Sequence, residues 1–228
     1  MRFIYLLLLC TMVTSVTQAQ LQAVRKKSGY SYWVHVPDHL EEKKQSLPIL
    51  VFLHGRSLSG SDINRVKRYG VIRAIEKGKQ IDAIVVAPQT SNGWNPDKVM
   101  DMVDEVADAH QADRSRIYVC GMSMGGYGTM DVAGKYPDRI AAAVAICGGG
   151  TLGLACGLTK VPLWIHHGNN DRIVPLSESQ KIFKAIKNCN PRADATLTVV
   201  PGGTHGSVEN IFHQDAIYDW MFGYTRQL

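Results

Sequence analysis

The chain has 228 residues, of which 45% are hydrophobic, and it carries a formal net charge of +5. This length suits one domain with a full hydrophobic core and leaves no room for a second large one. Lysine and arginine are scattered and form no basic stripe with interleaved aromatic residues, so we expect no nucleic acid partner.

The N-terminus has the pattern of a secretory signal peptide. Arg2 supplies a positive start, residues 3–13 are largely apolar, and the small residue Ala19 suits cleavage. The apolar part is too short to span a bilayer, so we expect no stable membrane anchor. A buried N-terminal strand or helix is the alternative. We predict a signal peptide over residues 1–19, a single domain over residues 20–228, and a secreted or periplasmic location.

Apolar runs alternate with amphipathic ones along the rest of the chain. Short apolar runs predict strands, and apolar residues at helical spacing predict helices. The predicted strands cover 30–36, 47–53, 82–87, 117–120, 140–146, 163–166 and 196–200, and the predicted helices cover 62–77, 97–109, 125–136, 177–187 and 214–222. Near-continuous apolar strands separated by helices predict an α/β fold with a mostly parallel central sheet and helices on both faces.

The strand over 117–120 runs directly into Gly121-Met122-Ser123-Met124-Gly125. A Gly-x-Ser-x-Gly turn after a strand is typical of the α/β-hydrolase fold, where it holds a nucleophilic serine at the top of the sheet. The serine is strained there, and side chains two residues away on either side would collide across the turn. The pattern alone would occur by chance in roughly one chain in ten of this length, so Ser123 needs partners.

A nucleophilic serine needs a base and an acid, which follow it along the chain in the order acid, histidine. Asp171 comes just after the strand over 163–166, at the sheet edge where α/β folds keep their sites. An aspartate that only caps the next helix is the alternative, and Asp194, the rival acid, precedes its strand. His205 lies in a glycine-rich loop after the last predicted strand, with a surface histidine as the alternative.

Other polar groups complete the predicted site. The oxyanion hole is expected to use the backbone N–H of Met124, just after the nucleophile, and that of Arg56, in the loop after the strand over 47–53. Trp94 is a candidate substrate-binding wall whose indole N–H could donate, and a packed core indole is the alternative. His54 and His167 each precede a glycine at a strand end and are interpreted as structural.

Cysteine usage fits an exported protein. Four cysteines lie beyond the predicted signal peptide, and their spacing matches no zinc motif. Cys156 and Cys189 lie in loop-like sequence and are the favoured disulfide, whereas Cys120 is expected to be a buried apolar residue. We expect neither a metal nor a cofactor.

These residues resemble a known family. Leu53-His54-Gly55, the run 117–129 around Ser123 and the run 167–175 around Asp171 are similar to secreted single-domain α/β-hydrolases described as predicted peptidases, phospholipase/carboxylesterase-like or feruloyl-esterase-like proteins. The resemblance implies a triad on Ser123, Asp171 and His205, and a serine esterase associated with plant cell-wall polysaccharide. Relatives of dienelactone hydrolase use a cysteine nucleophile, so the serine at 123 is expected to separate this chain from them.

The sequence therefore predicts a secreted serine carboxylic-ester hydrolase that acts on small-molecule or polysaccharide-linked esters, with acetyl or feruloyl groups as candidates. A serine peptidase or amidase of the prolyl-oligopeptidase-like type is one alternative. An inactive hydrolase fold that binds carbohydrate is another. The oligomeric state stays open.

Overall fold

A computed structural model describes residues 21–37 and 46–227. The predicted signal peptide and most of the polar connection before residue 47 lie outside this part. Within it, eight strands form one sheet in the order β1-β2-β4-β3-β5-β6-β7-β8. The pairs from β4 to β8 are parallel, and β2 pairs antiparallel with both β1 and β4. The predicted α/β fold with a mostly parallel sheet is confirmed.

The strands are β1 (Leu21–Val24), β2 (Tyr32–His35), β3 (Ile49–Leu53), β4 (Ile84–Pro88), β5 (Ile117–Met122), β6 (Ala142–Ile146), β7 (Leu163–Gly168) and β8 (Ala195–Val200). The α-helices are α1 (Val71–Glu76), α2 (Pro96–His110), α3 (Met124–Lys135), α4 (Ala155–Leu158), α5 (Leu176–Cys189) and α6 (Ala216–Phe222). Short 3₁₀ segments cover Arg56–Leu58, Ile63–Arg68, Leu152–Leu154 and Ser207–His213.

Apolar layers cover both faces of the sheet, and the central strands are therefore buried on both sides. Residues of α2, α3, α4 and α5 pack in one layer. Residues of α1, α6 and the 3₁₀ segment Ser207–His213 pack in the other. Among the described residues, none of the helices combines the length and apolar character needed to cross a membrane.

The predicted helix over 62–77 is wrong, because the structure divides it into the 3₁₀ segment Ile63–Arg68 and helix α1. The break falls at Gly70, whose φ is +79°. A Cβ added at Gly70 would lie 2.0 Å from the ring of Phe52, so no larger residue fits there. The edge strand β1 was not predicted from the sequence. It is short and half exposed, which leaves little apolar pattern to detect.

The predicted disulfide between Cys156 and Cys189 is confirmed, and it joins α4 to the end of α5. The interpretation of Cys120 as a buried apolar residue is also confirmed, since its side chain is fully enclosed. Cys147 is likewise buried and free.

Candidate functional site

Ser123 occupies a strained turn between β5 and α3. Its φ is +59° and its ψ is −123°, a conformation that L-residues rarely adopt. The two flanking glycines are required by close backbone approach. A Cβ on Gly125 would lie 1.8 Å from the Leu53 carbonyl oxygen, and one on Gly121 would lie 2.4 Å from the Gly125 oxygen. The close backbone approach expected on both sides of the serine is therefore present. Side chains at positions 121 and 125 would collide with this backbone, so only glycine fits there.

The structure brings Asp171 and His205 together. Asp171 lies in the turn after β7, and its Oδ2 accepts a hydrogen bond of 2.7 Å from His205 Nδ1. Its Oδ1 accepts from the backbone N–H groups of Ile173 and Val174 at 2.8 and 2.9 Å. Burial alone would raise the pKa of Asp171, but the hydrogen bonds from His205 and the two amides outweigh it and hold that pKa below its usual value. The carboxylate is thus fixed and ionised.

Ser123 and His205 line one pocket of about 460 Å³ at the carboxyl edge of the sheet. Within the described residues no hydrogen bond yet joins the serine hydroxyl to the imidazole, and such bonds are often long in free enzymes. The histidine side chain is 18% exposed, so it faces the pocket from a partly covered position. Ser123 and His205 therefore share this pocket, and Asp171 is buried behind His205, where it holds Nδ1.

The two predicted oxyanion donors open short helical segments next to Ser123. Met124 is the first residue of α3, and Arg56 is the first residue of a 3₁₀ turn. The N–H groups at the start of a helix have no acceptor within it, so they are available to a substrate oxygen. A Cβ on Gly55 would lie 2.6 Å from the Tyr69 hydroxyl and 3.2 Å from Ser123 Cβ, so a larger residue would push this loop away from its neighbours.

Trp94 does not reach the Ser123 pocket. Its indole N–H donates to the His54 carbonyl oxygen at 3.1 Å, and its ring packs on Gly128 of α3. The expectation that this N–H is free to hold a substrate is therefore wrong, because a loop carbonyl already accepts it. Trp94 instead lines a separate cavity of about 610 Å³, where its ring meets Tyr30 edge to face.

His54 is fully buried just before the loop that carries Arg56. Its Nδ1 faces the Gly55 carbonyl oxygen at 2.8 Å, and its Nε2 accepts from the Thr90 N–H at 3.2 Å. A carbonyl can only accept and an N–H can only donate, so the ring is neutral with its proton on Nδ1. Burial lowers the pKa of His54 to about 4, which agrees with a neutral ring.

Three side chains of types that can bind metal ions, one of them Asp171, lie close together. The sequence did not predict this cluster. Ligand atoms of Cys147, His167 and Asp171 all lie within 4.8 Å of one another. Burial raises the pKa of the Cys147 thiol to about 12, so it remains protonated. Both nitrogens of His167 are occupied by hydrogen bonds to Ser179 and to the Val174 carbonyl, so the ring offers no free lone pair to a metal ion.

The pocket contains residues that the sequence did not single out, chiefly Tyr69, Met122, Ile173 and Glu209. The Tyr69 hydroxyl accepts a hydrogen bond of 2.9 Å from the Gly55 N–H, beside the oxyanion loop. Burial raises the pKa of Tyr69, so the phenol keeps its proton. Ile173 follows Asp171 closely in sequence and is 72% exposed on the rim, and this adjacency is the one signal that could have identified it.

Comparisons with known proteins find similar hydrolases. The pattern of the dienelactone hydrolase family matches residues 68–216, about two thirds of the chain. Feruloyl esterase B of Thermothelomyces thermophilus is 31% identical over 145 residues, which cover 55% of this chain and 46% of that protein. The bifunctional acetylxylan esterase/xylanase XynS20E of Neocallimastix patriciarum is 24% identical over 73% of this chain and 26% of that protein.

A solved thermostable esterase shares the fold, with a TM-score of 0.75 and 24% identity over 91% of this chain and 63% of that one. The chain spans less than half the length of both curated relatives. The serine at position 123 does not separate the chain from the dienelactone hydrolase family, contrary to the expectation from the sequence.

Proposed function

The chain belongs to the dienelactone hydrolase family and is thereby a hydrolase, and we propose that it cleaves carboxylic esters with a triad of Ser123, His205 and Asp171. One observation carries this proposal: a strained serine and a carboxylate-anchored imidazole line the same pocket. Burial, spacing and chain order all suit acyl transfer.

The reaction begins when Ser123 Oγ attacks the ester carbonyl carbon and His205 Nε2 takes the hydroxyl proton. Asp171 holds Nδ1, which leaves Nε2 for this role. The N–H groups of Met124 and Arg56 stabilise the oxyanion. His205 then gives the proton to the departing alcohol, and an acyl group remains on Ser123. Water attacks that acyl ester with help from His205, which releases the acid and restores the serine.

The acyl group would occupy the Ser123 pocket. Its volume of about 460 Å³ falls within the range of small-molecule sites. Met122, Tyr69 and Ile173 supply apolar contact, and Glu209 and Arg56 supply polar groups at the side. This lining suits a short or aromatic acyl group. Acetyl and feruloyl esters are therefore the substrates to test first, and both chemistries occur in the names of the relatives.

The alcohol side of the substrate would extend toward the Trp94 cavity. Ser57 lines the Ser123 pocket and Gly60 lines the Trp94 cavity, so the Cα atoms of these two lining residues lie at most ~11 Å apart. The exposed side chains of Asn92 and Lys98 line this cavity and make no hydrogen bond within the described residues. The amide of Asn92, the ammonium group of Lys98 and the aromatic ring of Trp94 suit contact with a hydroxyl-rich chain. We therefore place the polysaccharide of a polymer-linked ester in this cavity.

Ester hydrolysis is tested with p-nitrophenyl acetate, feruloyl esters and aminoacyl anilides on one preparation. Ser123→Ala should lower kcat by about 10⁴–10⁶ on the esters and leave the fold intact. Equal rates for wild type and S123A would sink the mechanism. Cleavage of anilides alone would move the assignment to an amidase or peptidase. A folded protein that ignores both substrate classes and a fluorophosphonate probe would indicate an inactive binding protein.

The Trp94 cavity is tested by a double variant, Asn92→Ala with Lys98→Ala. The KM for acetylated polysaccharide should rise, whereas the kinetics on p-nitrophenyl acetate should not change. Asn188→Ala with Lys184→Ala makes the same chemical changes on helix α5 and is the matched control. An unchanged KM for the polymer in the first variant would refute this subsite.

We also propose that residues 1–19 are removed on export. The disulfide between Cys156 and Cys189 supports an oxidising compartment. N-terminal sequencing of the secreted or periplasmic protein should begin at Gln20. A mature protein that retains Met1 would contradict export by this route.

A further inference from the structure

The hydrogen bonds of His167 determine how many protons its imidazole ring carries. Its Nδ1 lies 2.7 Å from Ser179 Oγ, and its Nε2 lies 2.9 Å from the Val174 carbonyl oxygen. Ser179 Oγ also lies 2.6 Å from the Gly148 carbonyl oxygen. Carbonyl oxygens only accept, and a hydroxyl has one proton to donate. Ser179 must therefore donate to Gly148, so Nδ1 must donate to Ser179 and Nε2 must donate to Val174.

We infer that His167 is doubly protonated, as a buried imidazolium that positions the Asp171 carboxylate and compensates its charge. Both side chains have 0% exposure, and His167 Nε2 lies 3.5 Å from Asp171 Oδ2. A charge that is removed from water needs a partner of opposite sign, and here the catalytic acid is that partner. His167 is thus a positioning residue that acts through Asp171.

Among the described residues, the ion pair of His167 is formed with Asp171. Asp171 approaches from the loop after β7, and Cys147 from the end of β6. The Cys147 thiol is neutral, as shown above. Helix α5 contributes the uncharged hydroxyl of Ser179. Asp171 is therefore the counter-ion, and the pair is neutral as a unit.

The consequence for catalysis rests on the proposed function. His205 Nδ1 donates to the same Oδ2 at 2.7 Å, so two imidazole rings share one carboxylate oxygen. Summing the two contacts places the ring nitrogens at most ~6 Å apart, where two positive charges repel. A positive charge on His167 would act on the same carboxylate oxygen that orients the general base. Without that charge, the acidic limb of kcat/KM should move upward by on the order of one pH unit.

The charge state is tested by ¹⁵N NMR of wild-type protein that carries labelled histidine. Long-range ¹H–¹⁵N spectra at pH 7 should show two protonated nitrogens for His167. His54 and His166 are internal controls in the same sample. The geometry of His54 requires a neutral ring, and burial lowers the pKa of His166 to about 4, so each should show one bare nitrogen. A bare nitrogen on His167 overturns the inference.

The positioning role is tested by the pH profile of His167→Asn. The acidic limb of its kcat/KM should lie at higher pH than that of wild type, whereas His166→Asn, one residue away on β7, should leave the limb in place. Equal shifts in both variants, or a shift in neither, would refute the role in catalysis. The NMR result does not depend on turnover, so full activity in S123A would contradict the proposed function and leave the charge assignment intact.

Discussion

The Tyr69 hydroxyl supports the oxyanion loop, and its removal should reveal how much the loop contributes. Tyr69→Phe deletes the acceptor of the Gly55 N–H, which lies in a buried part of the chain. A buried N–H without a partner costs about 1–3 kcal/mol. If the loop relaxes to recover that energy, the Arg56 N–H loses its position at the oxyanion. The same 1–3 kcal/mol then appears in the barrier, so kcat should fall about 5- to 150-fold.

The assay is kcat and KM on p-nitrophenyl acetate, with urea unfolding on the same samples. KM should change little, because the lost contact concerns the transition state more than the bound ester. Tyr30→Phe is the matched control, since the Tyr30 hydroxyl also accepts a backbone N–H, from Asn95 at 2.9 Å, but lines the Trp94 cavity. Wild-type kcat in Y69F, or an equal loss of kcat in Y30F, would refute the assignment.

Three further outcomes follow from the contacts. Replacing both Cys156 and Cys189 by Ser opens a cross-link with a sequence separation of 33, and should lower the free energy of unfolding by about 2–4 kcal/mol in urea titrations. Asp171→Asn should have a lower free energy of unfolding than wild type at neutral pH, and this difference should shrink as the pH falls below about 4. The reason is that a carboxylate with a lowered pKa loses its stabilising effect once it is protonated. A difference in unfolding free energy that does not depend on pH would contradict this. Gly125→Ala should cost more than ~3 kcal/mol, whereas Gly153→Ala, with open space around it, should be nearly neutral by thermal unfolding.

The fold could be predicted from the sequence because each buried strand and most helices are marked by a local pattern of apolar residues. Each buried strand is a short apolar run and most helices show one apolar face, so their order along the chain dictates a parallel sheet. The helix over 62–77 was wrong because its break depends on a distant contact. Gly70 adopts a positive φ and packs against the ring of Phe52 in β3, which no local pattern reveals.

Some residues of the candidate site could likewise be predicted from the sequence, and others could not. Ser123, Asp171 and His205 follow strands whose carboxyl ends share one edge, so chain order brings them together. Tyr69 lies at the end of a 3₁₀ segment and reaches the pocket only through the tertiary fold. Trp94 also follows a strand at that edge, but its N–H meets the His54 carbonyl instead of the pocket. Position after a strand at that edge therefore does not by itself establish a role in the site.

His54 and His167 make the limit of sequence reasoning explicit. Each ends or follows a buried parallel strand and precedes a glycine, and each side chain is fully buried, so the two are equivalent in local sequence and in solvent exposure. Their partners differ. His54 Nε2 meets the N–H of Thr90, whereas His167 Nε2 meets the carbonyl of Val174. Nδ1 donates in both rings, to the Gly55 carbonyl in one and to Ser179 in the other, so the acceptor at Nε2 gives His167 a second proton and the donor at Nε2 leaves His54 neutral. The turn after β7 contributes both that carbonyl and the carboxylate of Asp171, and the same few residues thus create the cation and its counter-ion.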